Sequence, residues 1–557
     1  MVGNNELIIR ADDIKDEELY KLYVGSEADE RILQYLINRT PTLLVGSRGC
    51  GKTMLLKVAE KRMEDDFNES RILPVFITFK EAALIEHKFF KQWMISKILF
   101  ALKRKLKKMC NILNKTKVFE EFFDLQLEKK GVSEKLDKFK TLLEESWITT
   151  DINLDNEIKY VFNDINSVHI LNEVDYFNAL MEDVCDEFNI SRIVFLFDEA
   201  CHNFIPVQQR TFFTLFRDIR SSYVNCKAAV YPGISSYGYT FQKFHDATEV
   251  KIERSISDKD YIINMREMIR KQVDERAYNR LEKNGELLDM LIYASSGNPR
   301  ILLKSLGKAT DNLSSKLKNQ ETINTIKEFY RIDIWNEHLL LRDKYKGHKK
   351  LIDWGREFIE NKVLQDIHDK NLNNKEKALQ TIYFSVERDS PEWVKKCIRI
   401  LEHSGIVSIH KEGIKKVMSQ KSKIFDRYQI NLGVILANEK NPNILLRCNE
   451  ITKNITVDLG PYYSMNSPSF LGMDNKDVVE VGDSFKNILK EILEKSVDEL
   501  DITQFQKDTI KQARFYTLGD ILKGSEKKLQ QAYGIGEIKS RRIFNITLNA
   551  AIEYISG

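Results

Sequence analysis

The sequence predicts an α/β protein with a parallel sheet, followed by a C-terminal half that is mostly α-helical. A glycine-rich loop joins an apolar run to a helical pattern within residues 42–60. A second apolar run ends in two acids at 198–199, and strands alternate with helices until helical patterns take over at 256. Such alternation is typical of a parallel sheet, because the helices carry the chain back between strands.

The glycine-rich loop has the pattern G-x-x-x-x-G-K-[ST], which indicates a triphosphate-binding loop. Its glycines would let the backbone wrap closely around phosphates, and the following helix adds partial positive charge at its N-terminus. Lys52 would reach the β- and γ-phosphates, and the Thr53 hydroxyl would ligate Mg²⁺. The alternative is a chance glycine-rich turn before a helix. The residues expected to hold ATP are Gly46, Ser47, Arg48, Gly49, Cys50, Gly51, Lys52 and Thr53.

The two acids, Asp198 and Glu199, end a short run of branched and aromatic residues that suits a buried central strand. Ligands bind at the carboxyl ends of parallel strands. Asp198 is therefore expected to hold Mg²⁺, usually through water, and Glu199 to polarise the attacking water as a general base. The alternative is an ordinary strand whose terminal acids are solvated.

Composition excludes several classes of protein. The formal net charge is +3 over 557 residues, so there is no global basic field and any nucleic-acid surface must be local. The seven cysteines form no C-x-x-C pair, which fits a reducing cytosol and argues against a zinc site. The sequence contains no apolar run of about 18 residues and no apolar signal core at its start. We expect a cytoplasmic protein without a membrane partner.

The pattern predicts further strands at 72–79, 227–231 and 249–252. A helical insertion of about 81–190 separates the second strand from the acidic pair, with helices near 89–109, 120–143 and 171–188. The first of these helices carries a basic cluster, for which a solvated helix face is favoured over a nucleic-acid contact. Its members are Lys103, Arg104, Lys105, Lys107 and Lys108.

A turn-forming segment at 295–299 precedes a helix at 301–309. It places Arg300 in the first helical turn, where a helical lid would bring the guanidinium to the γ-phosphate. A structural arginine at a helix start is the alternative.

These features resemble the AAA+ branch of the P-loop NTPases, especially the origin-recognition initiators, over about the first 310 residues. The resemblance rests on Val24–Glu27, the phosphate loop, the acidic pair, Ser235 with Ser236, and Gly297–Arg300. It implies a sheet order of about 5-1-4-3-2, a helical lid, and hydrolysis of ATP with Mg²⁺. It also implies that Ser235 is the catalytic residue called sensor 1 and Arg300 the one called sensor 2. We further expect a homo-oligomer, at least transiently.

One departure from this family concerns the arginine finger that neighbouring subunits usually supply. It normally lies near the end of the helix before the fifth strand, yet residues 239–246 contain no arginine. Hydrolysis in a ring through a finger at that place is therefore in doubt. The candidate substitutes are Arg217, Arg220 and Arg254.

The C-terminal half contains two predicted DNA-binding modules. In the first, Ser390 is expected to cap a helix at 391–403 that Gly405 ends. A strand at 406–409, a turn at 410–413 and a strand at 414–418 complete the order typical of a winged helix, which initiators of this kind carry after the lid. The residues that would face DNA phosphates are Lys395, Lys396, Arg399, Lys411, Lys415 and Lys416.

In the second module, residues 500–542 resemble the C-terminal domain of the RNA polymerase α subunit, a helix-hairpin-helix relative. Gly534 and Gly536 would form the hairpin. Its backbone N–H groups and the following helix start would hold a DNA phosphate, with Lys539, Arg541 and Arg542 nearby. Because such domains also bind proteins, a protein partner stays open.

These predictions divide the chain into five regions: a P-loop ATPase core at 1–255 with the insertion, a lid at 256–311, a helical region with the winged-helix-like segment at 312–440, a linker at 441–485, and a helix-hairpin-helix domain at 486–557. The leading hypothesis is a nucleotide-switched AAA+ ATPase that associates with DNA. One alternative is an ATP-dependent sensor of a bacterial antiviral defence system that acts with a separate effector protein. Another is a scaffold that holds ATP without turnover.

Overall fold

The computed structural model describes residues 7–79, 89–113, 138, 140–141, 173–200, 206–233, 235–238, 240–344, 348–373, 380–418, 421–439, 451, 456–459, 493–500, 502–524 and 526–556. These residues form two compact units. The first comprises Arg10–Tyr231 with Ser235–Glu253, and the second comprises the described parts of Arg254–Gly557, Met1–Ile9 and Pro232–Ile234. In the described ranges no helix has the length and apolar character needed to span a membrane.

The first unit is built on a five-stranded parallel sheet. Its strands are β1 (Thr42–Val45), β2 (Ile72–Thr78), β3 (Arg192–Asp198), β4 (Val224–Val230) and β5 (Thr248–Lys251). The order is β2-β3-β4-β1-β5, which confirms the predicted order 5-1-4-3-2. The side chains of β3 and β4 are buried almost throughout, which explains why their sequences are apolar rather than alternating.

Helices pack against this sheet. They are α1 (Glu27–Ile37), α2 (Lys52–Asp65), α3 (Phe90–Leu113), α4 (Val174–Glu187) and α5 (Pro206–Asp218), with short helical turns at Ala11–Asp13, Leu19–Leu22, Phe67–Ser70 and Lys243–Asp246. The helices α3 and α4 confirm two of the three predicted in the insertion. The third, near 120–143, lies almost wholly outside the described residues.

The basic cluster on α3 was predicted to be a solvated face, and that prediction is wrong at its centre. Lys105 is buried, and its Nζ donates to carboxylate oxygens of Glu60 and Glu64 on α2. Lys108 forms an ion pair with Asp16. The periodicity of α3 did not reveal this because the two acids lie more than 40 residues earlier in the chain. Lys105 therefore attaches α3 to the phosphate-loop helix, and Lys108 attaches it to the segment before α1.

The second unit begins with a series of helices, as predicted. They are α6 (Tyr261–Gln272), α7 (Glu275–Glu282), α8 (Gly285–Ala294), α9 (Pro299–Ala309), α10 (Asn319–Glu328), α11 (Ile334–Leu339), α12 (Lys349–Phe358) and α13 (Leu364–Asn373), with a short helix at Leu341–Lys344. Single π-helical turns, Phe329–Asp333 and Ile359–Val363, join α10 to α11 and α12 to α13.

A four-stranded sheet follows these helices. Its elements are β6 (Tyr383–Glu387), α14 (Glu392–His403), β7 (Val407–Met418), β8 (Lys421–Ile430), α15 (Leu432–Asn438) and β9 (Val457–Leu459). The strand order is β7-β8-β6-β9. The neighbours β7 and β8 form an antiparallel hairpin, and β6 pairs antiparallel with β8 and parallel with β9.

This sheet corrects three predictions. The predicted turn at 410–413 is a register irregularity inside the single strand β7, and the hairpin partner is β8. Ser390 does not cap α14, because the N-cap residue is Pro391. The hydroxyl of Ser390 has no hydrogen-bond partner among the described residues. The predicted linker contains β9, and Asp458 on that strand accepts a hydrogen bond from Lys416, which was expected to face a phosphate.

The C-terminal residues form a small helical cluster. Its elements are the 3-10 turn Val497–Glu499 and the helices α16 (Gln504–Gln512), α17 (Leu518–Lys523), α18 (Glu526–Leu529) and α19 (Glu537–Ser556). Apolar side chains from every one of these elements share one core, including Val497, Ile510, Ile521, Leu529 and Ile543. Gly534 takes a positive φ of 72° in the connection between α18 and α19.

A buried lysine in the first unit connects β4 to the C-terminal end of α1. Lys227 on β4 is fully buried, and its Nζ donates to backbone carbonyl oxygens of Tyr35 and Asn38 at 2.7 Å and to that of Thr40. These carbonyls lie at the end of α1 and just beyond it, where the helix itself supplies no donors. Burial lowers the pKa of Lys227 to about 7, because the charged ammonium is disfavoured away from water.

We predict that Lys227→Met lowers the free energy of unfolding of the first unit by about 2 to 4 kcal/mol, since three backbone carbonyls that face the buried ammonium lose their donor. Chemical denaturation of the full chain measures the change. Lys21→Met removes an exposed lysine of the same unit and serves as the control. A Lys227→Met protein as stable as its parent would contradict this account.

The same pair of proteins tests the pKa. A lysine whose folded pKa is below its ordinary value of about 10.4 destabilises the fold fully below pH 7, and this cost disappears as the pH rises toward 10.4. The parent should therefore gain stability relative to Lys227→Met between pH 7 and 10.

Candidate nucleotide-binding site

The loop between β1 and α2 adopts a conformation that only glycine accommodates easily. Gly49 and Gly51 have φ angles of 83° and 103°, in the left-handed region. A Cβ at Gly46 would lie 2.5 Å from the Sγ of Cys50, so a larger residue there would displace that side chain. The loop thus curls tightly at the carboxyl end of β1, immediately before the N-terminus of α2.

Lys52 begins α2 and folds back over this loop. Its side chain is buried, and Nζ donates to the carbonyl oxygens of Gly46 at 2.6 Å and Ser47 at 2.8 Å. The same Nζ lies 3.7 Å from the ring centroid of Tyr231, at the end of β4. The lysine ammonium is therefore held between the phosphate loop and an aromatic ring.

Thr53, the residue after Lys52, connects the phosphate loop to the acidic pair. Thr53 Oγ1 donates to Asp198 Oδ2 at 2.7 Å, although the two residues are 145 positions apart. The backbone N–H of Glu199 donates to the other carboxylate oxygen at 2.9 Å. Asp198 is buried, and this burial raises its pKa to about 6. A hydroxyl and a carboxylate thus meet at the start of α2, and oxygen donors of this kind suit Mg²⁺.

Glu199 has a strained backbone. Its φ of 58° lies in the left-handed region, which a residue with a Cβ seldom adopts and which costs about 1–2 kcal/mol. Such strain concentrates where a side chain must be held in one direction. The strain therefore occurs at the residue predicted to activate water.

The structure places Ser235 in a turn. Its hydroxyl donates to the carbonyl oxygen of Tyr231 at 2.7 Å and accepts from the N–H of Tyr231 at 3.3 Å. Ser235 thus contacts Tyr231, which the sequence analysis placed in the strand and which directly follows β4. The role of Ser235 as sensor 1 stays a prediction.

The second unit contains the segment predicted to carry sensor 2. Arg300 lies in the first turn of α9, as expected, and Asn298 caps this helix by accepting from the N–H of Ile301 at 3.2 Å. The Nε of Arg300 is buried without an acceptor among the described residues. Gly297 has a φ of 80°, and its N–H donates to the hydroxyl of Tyr261 at 2.9 Å.

Two of the three substitutes for an arginine finger are used within their own unit. Arg217 donates to the carbonyl oxygen of Thr240 and pairs with Asp218 at 2.7 Å. Arg220 donates to the carbonyl oxygen of Asp246 at 3.0 Å. The third, Arg254, lies in the second unit, where its backbone packs beside Gly297. The first two arginines therefore brace the segment before β5.

Two basic side chains of the hairpin in the C-terminal cluster bond to groups of the hairpin itself. Lys539 Nζ donates to the carbonyl oxygen of Gly534 at 2.9 Å, and Arg541 pairs with Glu537 at 3.1 Å. The side chain of Arg542 is exposed. A Cβ at Gly536 would meet no atom within 4 Å, so the hairpin surface is open at that position.

Comparison with known proteins gives one family. A family model described as ORC-CDC6-like matches residues 8–287, about half of the chain. No curated protein matches in sequence.

Among the solved structures that match, three with low identity are the following. The Aeropyrum pernix ORC1 protein in complex with DNA is 12% identical, covers 78% of this chain and 96% of its own, and has a TM-score of 0.30. The Aeropyrum pernix ORC2 protein (ADPNP-ADP complexes) is 11% identical, with coverages of 80% and 93% and a TM-score of 0.29. Domain III of the Thermotoga maritima replication initiation protein DnaA is 14% identical, with coverages of 56% and 97% and a TM-score of 0.27.

We predict that Glu199→Gly raises the free energy of unfolding by about 0.5 to 1 kcal/mol relative to Glu199→Ala, because glycine accepts the positive φ without strain. The alanine variant is the matched control, since both changes remove the same carboxylate. Denaturation of the full chain without nucleotide measures the difference. Equal stability of the two variants would mean that position 199 stores no backbone strain.

Proposed function

The chain belongs to the ORC-CDC6-like family, and from that premise we propose that it is an AAA+ switch that binds and hydrolyses ATP with Mg²⁺ and associates with DNA through its C-terminal modules. The hydrogen bond between Thr53 and Asp198 carries the ATP part of the proposal. It brings the last residue of the phosphate loop to the acid that ends β3, and these two oxygens are donors that suit a Mg²⁺ ion beside a triphosphate.

The residues of the first unit fit a Mg²⁺–triphosphate group in three respects. The glycines give a loop that backbone N–H groups and the α2 N-terminus can turn toward phosphate. Lys52 supplies a cation on the same loop, and Thr53 with Asp198 supplies oxygen ligands. When bound, Mg²⁺ neutralises charge on the phosphates and orients them.

The chain's own groups then perform positioning and proton transfer. Glu199, fixed by its strained backbone, accepts a proton from the attacking water. Lys52 stabilises negative charge that develops on the phosphate oxygens. For Arg300, the buried and unpaired Nε supports a contact with an anionic ligand rather than a purely structural role.

Two substitutions test the ATPase assignment. We predict that Lys52→Ala weakens ATP binding at least tenfold, because the phosphates lose their cation. Glu199→Gln should bind ATP within about threefold of the parent yet release phosphate at least 100-fold more slowly, because an amide does not accept the proton of water. Equilibrium binding and phosphate release measure both.

The control is Lys283→Glu, an exposed change in the second unit that should alter neither quantity. Parental turnover in Glu199→Gln would remove Glu199 from the role of base. Parental affinity in Lys52→Ala would remove the nucleotide from this loop.

The DNA part of the proposal rests first on the second sheet. The order β6, α14, β7, β8, with β8 paired to β6 and β7, supports a winged-helix-like module. Lys411 and Lys415 are exposed on the β7–β8 hairpin, where a wing contacts the DNA backbone. Lys416 is excluded from such a contact as long as it is bound to Asp458.

The C-terminal hairpin is the second candidate contact. In the connection between α18 and α19, Gly534 has a positive φ and the surface at Gly536 is open. Arg542 beside it is exposed. These features suit a contact with a DNA phosphate. Tyr533 and Ile538 beside the hairpin are 86% and 79% exposed. These apolar side chains favour a protein partner as the second candidate for the same hairpin.

We predict that Arg542→Glu and Lys415→Glu each lower the affinity for duplex DNA. Each lost phosphate contact should flatten the slope of log affinity against log salt by about 0.9. Titration of a labelled duplex at several salt concentrations measures this, with Lys283→Glu as a control that changes charge equally elsewhere. ATP affinity should not change. If neither variant alters affinity or slope, DNA is not the ligand of these modules, and a protein partner becomes the better proposal for the hairpin.

A further inference from the structure

Tyr231 occupies the point where the parts of the nucleotide site converge. It directly follows β4, whose neighbours are β1 and β3. Val230 is aligned with Val45 before the phosphate loop, and Ala228 with Phe197 before the acidic pair. Tyr231, the residue after Val230, therefore lies between the phosphate loop and the acidic pair.

The backbone of Tyr231 is fixed on both sides. Its N–H and its carbonyl oxygen both bond to the hydroxyl of Ser235. The carbonyl oxygen of Val230, one residue earlier, accepts from the N–H of Gly46 at 3.4 Å. The side chain is only 8% exposed, so the ring has little freedom to leave its position.

The ring faces a cation that has been removed from water. Lys52 Nζ lies 3.7 Å from the ring centroid, and Lys52 is itself only 5% exposed. An ammonium over an aromatic face is attracted by the ring quadrupole, and the attraction grows when both groups are desolvated. The ring and the carbonyl oxygens of Gly46 and Ser47 thus surround one cation.

The phenol also stays neutral. Burial, with smaller contributions from the carboxylates of Asp198 and Glu199, raises the pKa of Tyr231 above its usual range. A neutral phenol beside two acids does not add a negative charge to a site that must accept phosphates.

We infer that Tyr231 is a positioning residue for the phosphate-loop lysine: its ring fixes the place of the Lys52 ammonium, and Ser235 acts by fixing Tyr231. This inference rests on the proposed ATP site for its consequence but not for the contact itself. A lysine held in place loses less conformational freedom when it meets a phosphate, so the ring strengthens binding without touching the nucleotide. The effect is carried by the ring and not by the hydroxyl.

The sharpest test changes the ring's charge distribution and leaves its shape intact. Tyr231→Phe keeps the aromatic face and should bind ATP within about twofold of the parent. Replacing the same position with mono-, di- and trifluorinated phenylalanine weakens the quadrupole stepwise. Affinity for Mg²⁺–ATP should fall progressively, by about tenfold in total, while the fluorinated proteins remain folded. Equal affinity across the series would overturn the inference.

A second measurement needs no nucleotide. In the full chain without ligand, Tyr231→Leu should lower Tm more in the parent than in a Lys52→Met background, because only the parent has a cation over the ring. Phe241→Leu, which removes another buried aromatic residue of the same unit, should lower Tm equally in both backgrounds. Equal Tm shifts for Tyr231→Leu in both backgrounds would show that ring and lysine are not coupled.

The two measurements separate the possible failures. If the ligand-free coupling is present and the parent binds no ATP, the proposed function fails and the contact stands. If the parent binds ATP and the fluorinated series is flat, the proposed function stands and the role of Tyr231 fails.

Discussion

The parallel register of β3, β4 and β1 is the constraint on which the candidate site depends. Because the three strands are adjacent and point the same way, whatever follows each of them meets at one edge of the sheet. The phosphate loop follows β1 and Tyr231 follows β4, while the acidic pair begins at the last residue of β3. The site is costly to assemble: Asp198 is a buried carboxylate with a raised pKa, and Glu199 adopts a strained φ. Burial and strain of this kind are typical of functional sites.

Much of the first unit could be predicted from sequence because its signals are local. The apolar runs gave the strands, and the loop between β1 and α2 is recognisable from its glycines and lysine. What sequence reasoning missed depends on contacts between distant segments. Lys105 was interpreted as solvated because its acidic partners lie on α2, more than 40 residues away. The position of Tyr231 beside the phosphate loop depends on which strands become neighbours, so the sequence did not indicate its contact with Lys52.

The C-terminal half was predicted less well for the same reason. The glycine at 413 suggested a turn, but the chain continues as one strand with a register irregularity, because pairing with β8 at nine positions outweighs a local turn signal. The strand β9 has only three residues and depends on pairing with β6. Within the second unit, the hydroxyl of Ser296 accepts from the N–H of Leu432 at 2.7 Å, and Gly433 packs on the ring of Tyr330. The segment before Arg300 is thus hydrogen-bonded to α15, the helix that follows β8. No local sequence pattern predicts this contact.

The most direct test of this account is a crystal structure of Glu199→Gln with Mg²⁺ and ATP. The account predicts that the triphosphate lies along Gly46–Thr53, that Lys52 Nζ is within hydrogen-bond distance of phosphate oxygens while remaining over the Tyr231 ring, and that Thr53 and Asp198 flank the metal. A nucleotide bound elsewhere would contradict it, and so would a metal bound away from Thr53 and Asp198.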